Sequence, residues 1–178
     1  KDKFCFPKQL DFINDTSIIK TAVTSRRAGK SKGIAADYVD TCLNEHDVVC
    51  LYITLTFRSA KNIIWNEFKK ICEDYKLNVK IDEQRLSILF LDTRSEIRCG
   101  GAKDESEIEK YRGWKLRKAY IDECQSFRPY LKFLIEDILI PGLRDLNGEL
   151  GLTGTPGPVL AGLFYEYSIN PKIKNYHW

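Results

Sequence analysis

The residues best suited to chemistry lie in a polar loop near the start of the chain. Gly29-Lys30-Ser31 follows the apolar run 18–23 and precedes the apolar run 33–39, so the loop is predicted to join a strand to a helix. At such a junction, backbone N–H groups and the positive end of the helix dipole converge on an anion. A lysine then reaches the terminal phosphates and a hydroxyl reaches magnesium, and Lys30 and Ser31 would take these two roles.

The loop departs from the usual phosphate-binding pattern, G-x-x-x-x-G-K-[ST], at one position. Thr24 stands where the first glycine is expected. Arg26 and Arg27 are neighbours of Lys30, and these cations repel one another unless an anion lies between them, which favours an anion site. A solvated basic loop at an ordinary helix start is the alternative interpretation.

A second group of candidate residues follows a short apolar stretch, 119–121. Asp122 and Glu123 come directly after it, at the end of a predicted strand, where open α/β sheets bind their ligands. Because adjacent strand residues point to opposite faces, the two carboxylates are expected to have different roles. Asp122 could hold magnesium through water, and Glu123 could polarise the water that attacks a γ-phosphate. A solvated strand end is the alternative.

Two further segments carry polar groups that could contact a nucleotide. Thr153, Gly154 and Thr155 end a third apolar strand, and the two threonine hydroxyls could sense a γ-phosphate, although a plain turn is the simpler explanation. Gln9 lies among aromatic and aliphatic residues ahead of the first strand, and its amide could read an adenine edge. A packed N-terminal segment with a solvated Gln9 is the alternative.

Hydrophobic periodicity predicts the elements that position these groups. Strands alternate with helices in the order expected of a doubly wound α/β fold. The predicted helices are 34–42, 60–75 and 130–139, the last stopped by Pro141-Gly142, and the further predicted strands are 47–56, 85–91 and 95–99. The acidic run 104–109 is predicted to be a solvated loop or helix start and not a metal cluster.

Composition limits the classes of protein. The 178 residues suffice for one domain, and 43% hydrophobic with 30% charged residues argues against disorder. Six cysteines without a C-x-x-C pair, and two histidines, argue against structural zinc and favour a reducing, intracellular setting. No apolar stretch has the length of a membrane span. The net charge of +3 leaves a nucleic-acid partner open, and the basic run Lys115, Arg117 and Lys118 indicates either DNA contact or mere solubility.

The order of these motifs resembles the ATPase domain of the tailed-bacteriophage terminase large subunit, the motor that packages DNA into a procapsid. The resemblance covers 7–167. It rests on Pro7-Lys8-Gln9, residues 25–31, Arg58-Ser59-Ala60-Lys61 with Trp65, Tyr111-Arg112-Gly113, residues 119–123 and residues 152–156.

The resemblance implies a fold, cofactors and partners. The fold would be a RecA-like P-loop NTPase of the ASCE class, with a mostly parallel twisted sheet and helices on both faces. Residues 1–178 would be a single ATPase domain without the family's C-terminal nuclease domain, and the absence of methionine suggests a piece of a longer protein. ATP and Mg²⁺ would be the cofactors. Double-stranded DNA, a homo-oligomeric ring on a portal and a small terminase subunit would be the partners, in the host cytoplasm and away from membranes.

The resemblance also implies roles for particular residues. Gln9 would recognise adenine, Arg26 would stabilise transition-state charge within the subunit, and Arg112 would reach the neighbouring subunit's site. Asp122 would hold magnesium with Ser31, Glu123 would orient water, and 153–155 would couple hydrolysis to movement. ATP would contact, besides Gln9, the loop residues Ser25, Arg26, Arg27, Ala28, Gly29, Lys30, Ser31 and Lys32.

Two alternatives remain at this point. A helicase-like or other RecA-type ATPase acting on nucleic acid shares nearly every motif. A non-catalytic nucleotide-binding or assembly module with a degenerate loop belongs to a different class.

Overall fold

The structure is a computed structural model that describes residues 5–25, 28–155 and 161–178. In these residues, eight strands form one sheet: β1 (Ile19–Val23), β2 (Val49–Thr54), β3 (Val79–Asp82), β4 (Ser87–Phe90), β5 (Glu96–Gly101), β6 (Lys118–Ile121), β7 (Glu149–Gly154) and β8 (Lys174–His177). The helices are α1 (Pro7–Asn14), α2 (Lys30–Asn44), α3 (Phe57–Ala60), α4 (Asn66–Asp74), α5 (Glu105–Glu109), α6 (Leu131–Phe133), α7 (Ile140–Arg144) and α8 (Leu163–Ile169).

The sheet is mostly parallel, which confirms the predicted fold class. Its strand order is β3-β4-β5-β2-β6-β7-β1-β8, and only the pairs β3–β4 and β4–β5 are antiparallel. Strand β7 therefore lies between β1, which leads into the phosphate-loop sequence, and β6, which leads into Asp122. The phosphate-loop sequence and Asp122 are therefore separated in the sheet by the single strand β7.

Helices cover both faces of the sheet, and the strands contribute alternate side chains to two cores, as their pleat requires. Tyr52 and Tyr120 belong to the core under α1, α2 and α4. Leu51 and Ile121 belong to the opposite core, under α5, α7 and α8. This two-sided burial explains why β2 and β6 read as nearly continuous apolar runs.

The helix after β6 differs from its prediction. Pro141 and Gly142 do not stop it, because a π turn at Leu134–Leu139 runs directly into α7, with Pro141 in the first turn. The helix therefore continues through the proline: the Ile140 N–H bonds to the carbonyl oxygen of Ile135 at π spacing, and Pro141 itself has no N–H to donate. Gly142 is needed for packing, because a Cβ at this position would lie 2.5 Å from the carbonyl oxygen of Trp114. A second π turn, Lys61–Trp65, joins α3 to α4 within the predicted helix 60–75.

The edge strands β3 and β8 were not predicted from the sequence. Neither contains a fully buried residue, so neither has the strong apolar pattern of an interior strand.

The acidic run 104–109 begins α5, where the carboxylate of Asp104 accepts a hydrogen bond from the Glu107 N–H at 2.9 Å. The predicted helix start is therefore confirmed.

Two residues of the basic run, Arg117 and Lys118, belong to a mostly buried ion-pair network and do not form the exposed surface that both interpretations assumed, whereas Lys115 is exposed. Lys118 Nζ lies 2.8 Å from the Asp37 carboxylate of α2. Arg117 pairs with Glu45 at 2.8 Å and with Glu149 of β7 at 3.3 Å. Lys20 of β1 pairs with the same Glu149 at 3.0 Å, and burial lowers the pKa of Lys20 although the glutamate opposes this effect. The network ties β1, β6, β7 and α2 together.

Replacing Lys118 by Ala is expected to lower the free energy of unfolding by about 3–5 kcal/mol, because it leaves the buried charge of Asp37 without its lysine. Lys115→Ala is the matched control, because its ion pair with Asp145 is mostly exposed and long, at 3.8 Å. That change should cost less than about 1 kcal/mol. Urea unfolding measures both, and equal costs would contradict the network's assignment.

Three further features of the described residues concern the zinc sites and membrane spans that the sequence argued against. Five of the six cysteines are buried, and burial raises the pKa of Cys72 to about 11, so its thiol stays protonated. Across residues 5–25, 28–155 and 161–178 there is no group of three potential His, Cys, Asp or Glu metal ligands. No helix in the same ranges is long and apolar enough to cross a membrane.

Candidate nucleotide-binding site

The loop between β1 and α2 ends in a glycine whose conformation no other residue would adopt easily. Gly29 caps α2 with a left-handed backbone, φ 75°. A Cβ at this position would also lie 2.5 Å from the side-chain nitrogen of Gln9. Glycine is thus required here both by backbone conformation and by contact, and Lys30 follows as the first helical residue.

Thr24 fits the loop because its position needs no glycine. Its φ is not positive, and its N–H donates to the carbonyl oxygen of Gly154 at 3.1 Å, which continues the pairing of β1 with β7. The next N–H, that of Ser25, donates to the carbonyl oxygen of Trp178 at 3.3 Å. The first turn of the loop is therefore an extension of the sheet, and a threonine there costs nothing in conformation.

The cationic end of the site is formed by residues at the start of α2. Lys30 and Ser31 are half-buried and Lys32 is exposed, and Lys30 Nζ lies 3.4 Å from the carbonyl oxygen of Ser25. That contact is at the upper limit for a hydrogen bond, so a phosphate oxygen would be a stronger partner for the ammonium. Arg26 and Arg27, predicted to contact ATP, lie outside the described residues.

The acidic end is formed by Asp122, whose carboxylate is buried and held by three donors. The Tyr52 hydroxyl donates to Oδ2 at 2.7 Å, and the Thr153 hydroxyl donates to Oδ1 at 2.6 Å. The backbone N–H of Glu123 also donates to Oδ1, at 2.9 Å. Burial and the neighbouring Asp122 charge together raise the pKa of Tyr52, which therefore stays a donor. These bonds fix the orientation of Asp122.

Glu123 is presented differently from its neighbour. Its side chain is exposed, and its backbone is left-handed, φ 55°, a conformation that costs a non-glycine residue of order 1–3 kcal/mol. It precedes the 3-10 turn Cys124–Ser126. Strained residues of this kind cluster at functional sites, and here the strain directs the glutamate away from the buried environment of Asp122.

The loop and the two carboxylates share one edge of the sheet. Strands β1, β7 and β6 are parallel neighbours, with Val23 opposite Gly154 and Ile121 opposite Leu152, so all three end at the same side. The loop that carries Lys30 and the end of β6 are thus two strand spacings apart, about 10 Å. The hydroxyl of Ser31 and the carboxylate of Asp122 are the hard oxygen donors that Mg²⁺ prefers.

The strand between them carries the predicted coupling residues. The Thr153 hydroxyl is buried and bonded to Asp122, so it contacts a candidate metal ligand and is not left free for a phosphate. Thr155, just past the end of β7, is half-buried.

The sequence did not predict Tyr52 or its bond to Asp122, because nothing in the sequence of β2 indicates that its tyrosine lies beside a residue 70 positions later.

Gln9 is buried in α1 and contacts the backbone of the loop. Its side-chain nitrogen donates to the carbonyl oxygens of Gly29 at 2.8 Å and Ala28 at 3.2 Å. Its side-chain oxygen accepts the N–H of Phe6 at 3.2 Å. The interpretation of a solvated Gln9 is therefore wrong, whereas adenine recognition stays a prediction.

Arg112 lies apart from these residues. Its guanidinium makes a two-point ion pair with Glu109, at 2.6 and 2.8 Å, on the protein surface. The preceding residue, Tyr111, donates its hydroxyl to the carbonyl oxygen of Gly101 at the end of β5. Strand β5 is four positions from β1 in the sheet, about 19 Å. Arg112 is therefore remote from the loop of its own subunit.

The sequence of this chain matches a model of a known protein family. Residues 16–164 match the family model described as phage terminase large subunit. The chain belongs to this family. Comparison of the sequence with curated proteins gives no significant match.

Solved structures of large terminases share the fold at low sequence identity. The ATPase domain from Thermus phage P74-26 is 18% identical with a TM-score of 0.78, over 97% of this chain and 80% of that one. The HK97 bacteriophage large terminase is 18% identical with a TM-score of 0.80, over 98% and 39% of the chains. A large terminase from a thermophilic bacteriophage, in complex with ADP, is 17% identical with a TM-score of 0.74, over 96% and 44%. This chain thus spans less than half of the latter two terminases and has the fold of the ATPase domain, as the sequence motifs predicted.

Gly154→Ala is expected to destabilise the end of β7. A Cβ at Gly154 would lie 2.5 Å from the Phe164 ring of α8 and 2.6 Å from the side-chain oxygen of Gln125. Forcing these groups apart should cost about 1–3 kcal/mol. Gly113→Ala is a useful contrast, because its Cβ would meet no atom of the described residues within 4 Å, although its positive φ also carries a strain. Thermal melting compares them, and a Gly154 variant at least as stable as the Gly113 variant would contradict the close packing.

Proposed function

We propose that residues 1–178 are a magnesium-dependent ATPase domain that drives double-stranded DNA into a viral procapsid. The observation that carries this proposal is the shared sheet edge, where the Lys30 loop and the Asp122-Glu123 pair flank the end of β7. Family membership favours a terminase over a helicase-like ATPase. The ADP complex of the thermophilic bacteriophage's terminase supports a nucleotide ligand for the same fold.

The residues at this edge have complementary roles toward a bound nucleotide. Loop N–H groups and Lys30 bind the phosphates, and Ser31 and Asp122 would hold Mg²⁺, which would supply positive charge to neutralise the phosphates. Glu123 orients the attacking water by accepting a hydrogen bond from it. The exposed, strained position of Glu123 supports this role, because a carboxylate as buried and bonded as that of Asp122 could not turn toward a water.

Two arginines complete the proposed transition-state stabilisation. Arg26, in the loop, would act on the nucleotide of its own subunit. Arg112 would act on that of the neighbouring subunit, because it is anchored beside β5, too far from its own loop for one side chain to span. This arrangement requires an oligomer. We propose a homo-oligomeric ring, docked on a portal and served by a small terminase subunit in the host cytoplasm, on the ground of family membership.

Thr153 provides a direct link from the metal site to β7. Its hydroxyl donates to Asp122, so any shift of that carboxylate would change the hydrogen bonding of β7. Gly154 then contacts Phe164 of α8. We propose that residues 153–155 couple hydrolysis to movement through this contact.

Steady-state ATP hydrolysis by the intact chain, with and without double-stranded DNA, tests the function. Activity that requires Mg²⁺ and is lost in Lys30→Ala supports it. Lys132→Ala, which changes an exposed lysine paired only loosely with Glu136 at 4.0 Å, is the control and should hydrolyse ATP normally. Nucleotide binding without turnover, even at high protein concentration with DNA, would indicate the non-catalytic assembly module instead.

A further inference from the structure

Trp178, which no sequence motif assigned to the site, contacts the phosphate-binding loop from the position just after β8. The indole N–H of Trp178 donates to the carbonyl oxygen of Ala28 at 2.9 Å. Its own carbonyl oxygen accepts the N–H of Ser25 at 3.3 Å. Trp178 follows β8, which pairs with β1 in parallel, so it contacts the loop at both ends.

The Trp178 ring is fixed by its neighbours. It lies edge-on to Phe6 with ring centroids 6.0 Å apart, and tilted against the buried Phe12 at 5.8 Å. Both phenylalanines belong to the segment that also carries Gln9. Trp178 and Gln9 therefore both donate hydrogen bonds to the carbonyl oxygen of Ala28. Trp178 does so from the end of β8, and Gln9 from α1.

Because the peptide group is planar, the hydrogen bonds to this carbonyl also fix the direction of the loop N–H groups that would face an anion. In a trans peptide the C=O of one residue and the N–H of the next point in opposite directions. Holding the Ala28 carbonyl outward therefore aims the N–H of Gly29 inward, and holding the Gly29 carbonyl does the same for Lys30. These are N–H groups that a phosphate at the start of α2 would meet.

We propose that Trp178 is a positioning residue for the phosphate-binding loop, acting through the Ala28–Gly29 peptide. This inference rests on the proposed function. Under this proposal the Trp178 ring does not contact the nucleotide base. Its role is to keep the loop's N–H groups directed at phosphate before the nucleotide arrives, which lowers the entropic cost of binding.

The test uses Trp178→Phe, which keeps an aromatic ring and removes only the indole N–H donor and part of the ring. Affinity for a fluorescent N-methylanthraniloyl-ADP is measured directly, and affinity for inorganic pyrophosphate is measured by its displacement. Loss of one hydrogen bond to the loop should weaken both ligands by about 3- to 10-fold. Pyrophosphate has no base, so it reports only on the loop.

Trp65→Phe is the matched control. It also removes an indole N–H bond, to Glu83 at 2.9 Å, but at the π turn before α4 and away from the loop. It should leave both affinities unchanged, with thermal melting showing that each variant is folded. Hydrogen exchange of the nucleotide-free protein adds a second readout, because the peptide spanning 24–34 should exchange faster in Trp178→Phe and not in Trp65→Phe.

The outcomes separate the two proposals. Weaker ADP binding with unchanged pyrophosphate binding would mean that Trp178 contacts the base, and would overturn its assignment to the loop. Unchanged affinities and unchanged exchange would overturn it as well. Failure of the wild-type chain to bind either ligand would overturn the proposed function itself, and the role of Trp178 with it.

Discussion

Glu123→Gln is expected to lower the ATP turnover number by about 10²- to 10⁴-fold, the usual contribution of a positioned acid or base. Glutamine has the same shape but cannot accept a proton or polarise water as a carboxylate does. The exposed side chain is separate from the bonds that hold Asp122, which come from Tyr52, Thr153 and the backbone, so the substitution should leave the fold intact.

The same variant should bind ATP about as well as the wild type, because Lys30, Ser31 and the loop N–H groups are unchanged. Glu105→Gln, in the exposed first turn of α5, is the control for loss of one surface carboxylate and should keep full turnover. Phosphate release and nucleotide binding are measured together on each variant. A Glu123→Gln protein with near-normal turnover would exclude this residue as the one that orients water.

Arg112→Ala is expected to lower turnover by about 10³- to 10⁵-fold in the assembled protein, the range of arginine fingers. Lysine should not rescue it, because a single ammonium cannot form the planar two-point contact of a guanidinium. Arg85→Ala is a closely matched control. Arg85 is also exposed and also pairs with an acid three residues earlier, Asp82 at 3.9 Å, but it lies before β4.

Mixing distinguishes action on the neighbouring subunit from action within one subunit. If Arg112 serves the neighbour, a mixture of Arg112→Ala and Glu123→Gln subunits contains interfaces where an intact Glu123 meets an intact Arg112. Turnover should then rise above that of either variant alone. A mixture no more active than its components would argue that Arg112 acts elsewhere or not at all.

The sequence predicted the parts of this site that depend on local pattern. Gly29-Lys30-Ser31 and Asp122-Glu123 follow strongly apolar strands, and the rule that parallel strands end at one edge brings them together. The helices α2 and α4 were similarly predicted from their periodicity. Pro141 misled the prediction because local sequence does not reveal that the π turn before it carries the helix past the proline.

The parts that the sequence did not predict depend on contacts between distant segments. Tyr52 bonds to Asp122 only because β2 and β6 are neighbours in a particular register. Lys118 and Asp37 look like ordinary surface charges until the fold buries them against each other. Trp178 reaches the loop from an edge strand too polar to be recognised, so its contact with Ala28 required the complete sheet.

The most direct test of the shared site is a crystal structure of this chain with a non-hydrolysable ATP analogue and Mn²⁺ in place of Mg²⁺, located by its anomalous scattering. We expect the triphosphate against the N–H groups at the start of α2, and one Mn²⁺ peak between the Ser31 hydroxyl and the Asp122 carboxylate. A nucleotide bound elsewhere, or a metal peak remote from both residues, would contradict the account.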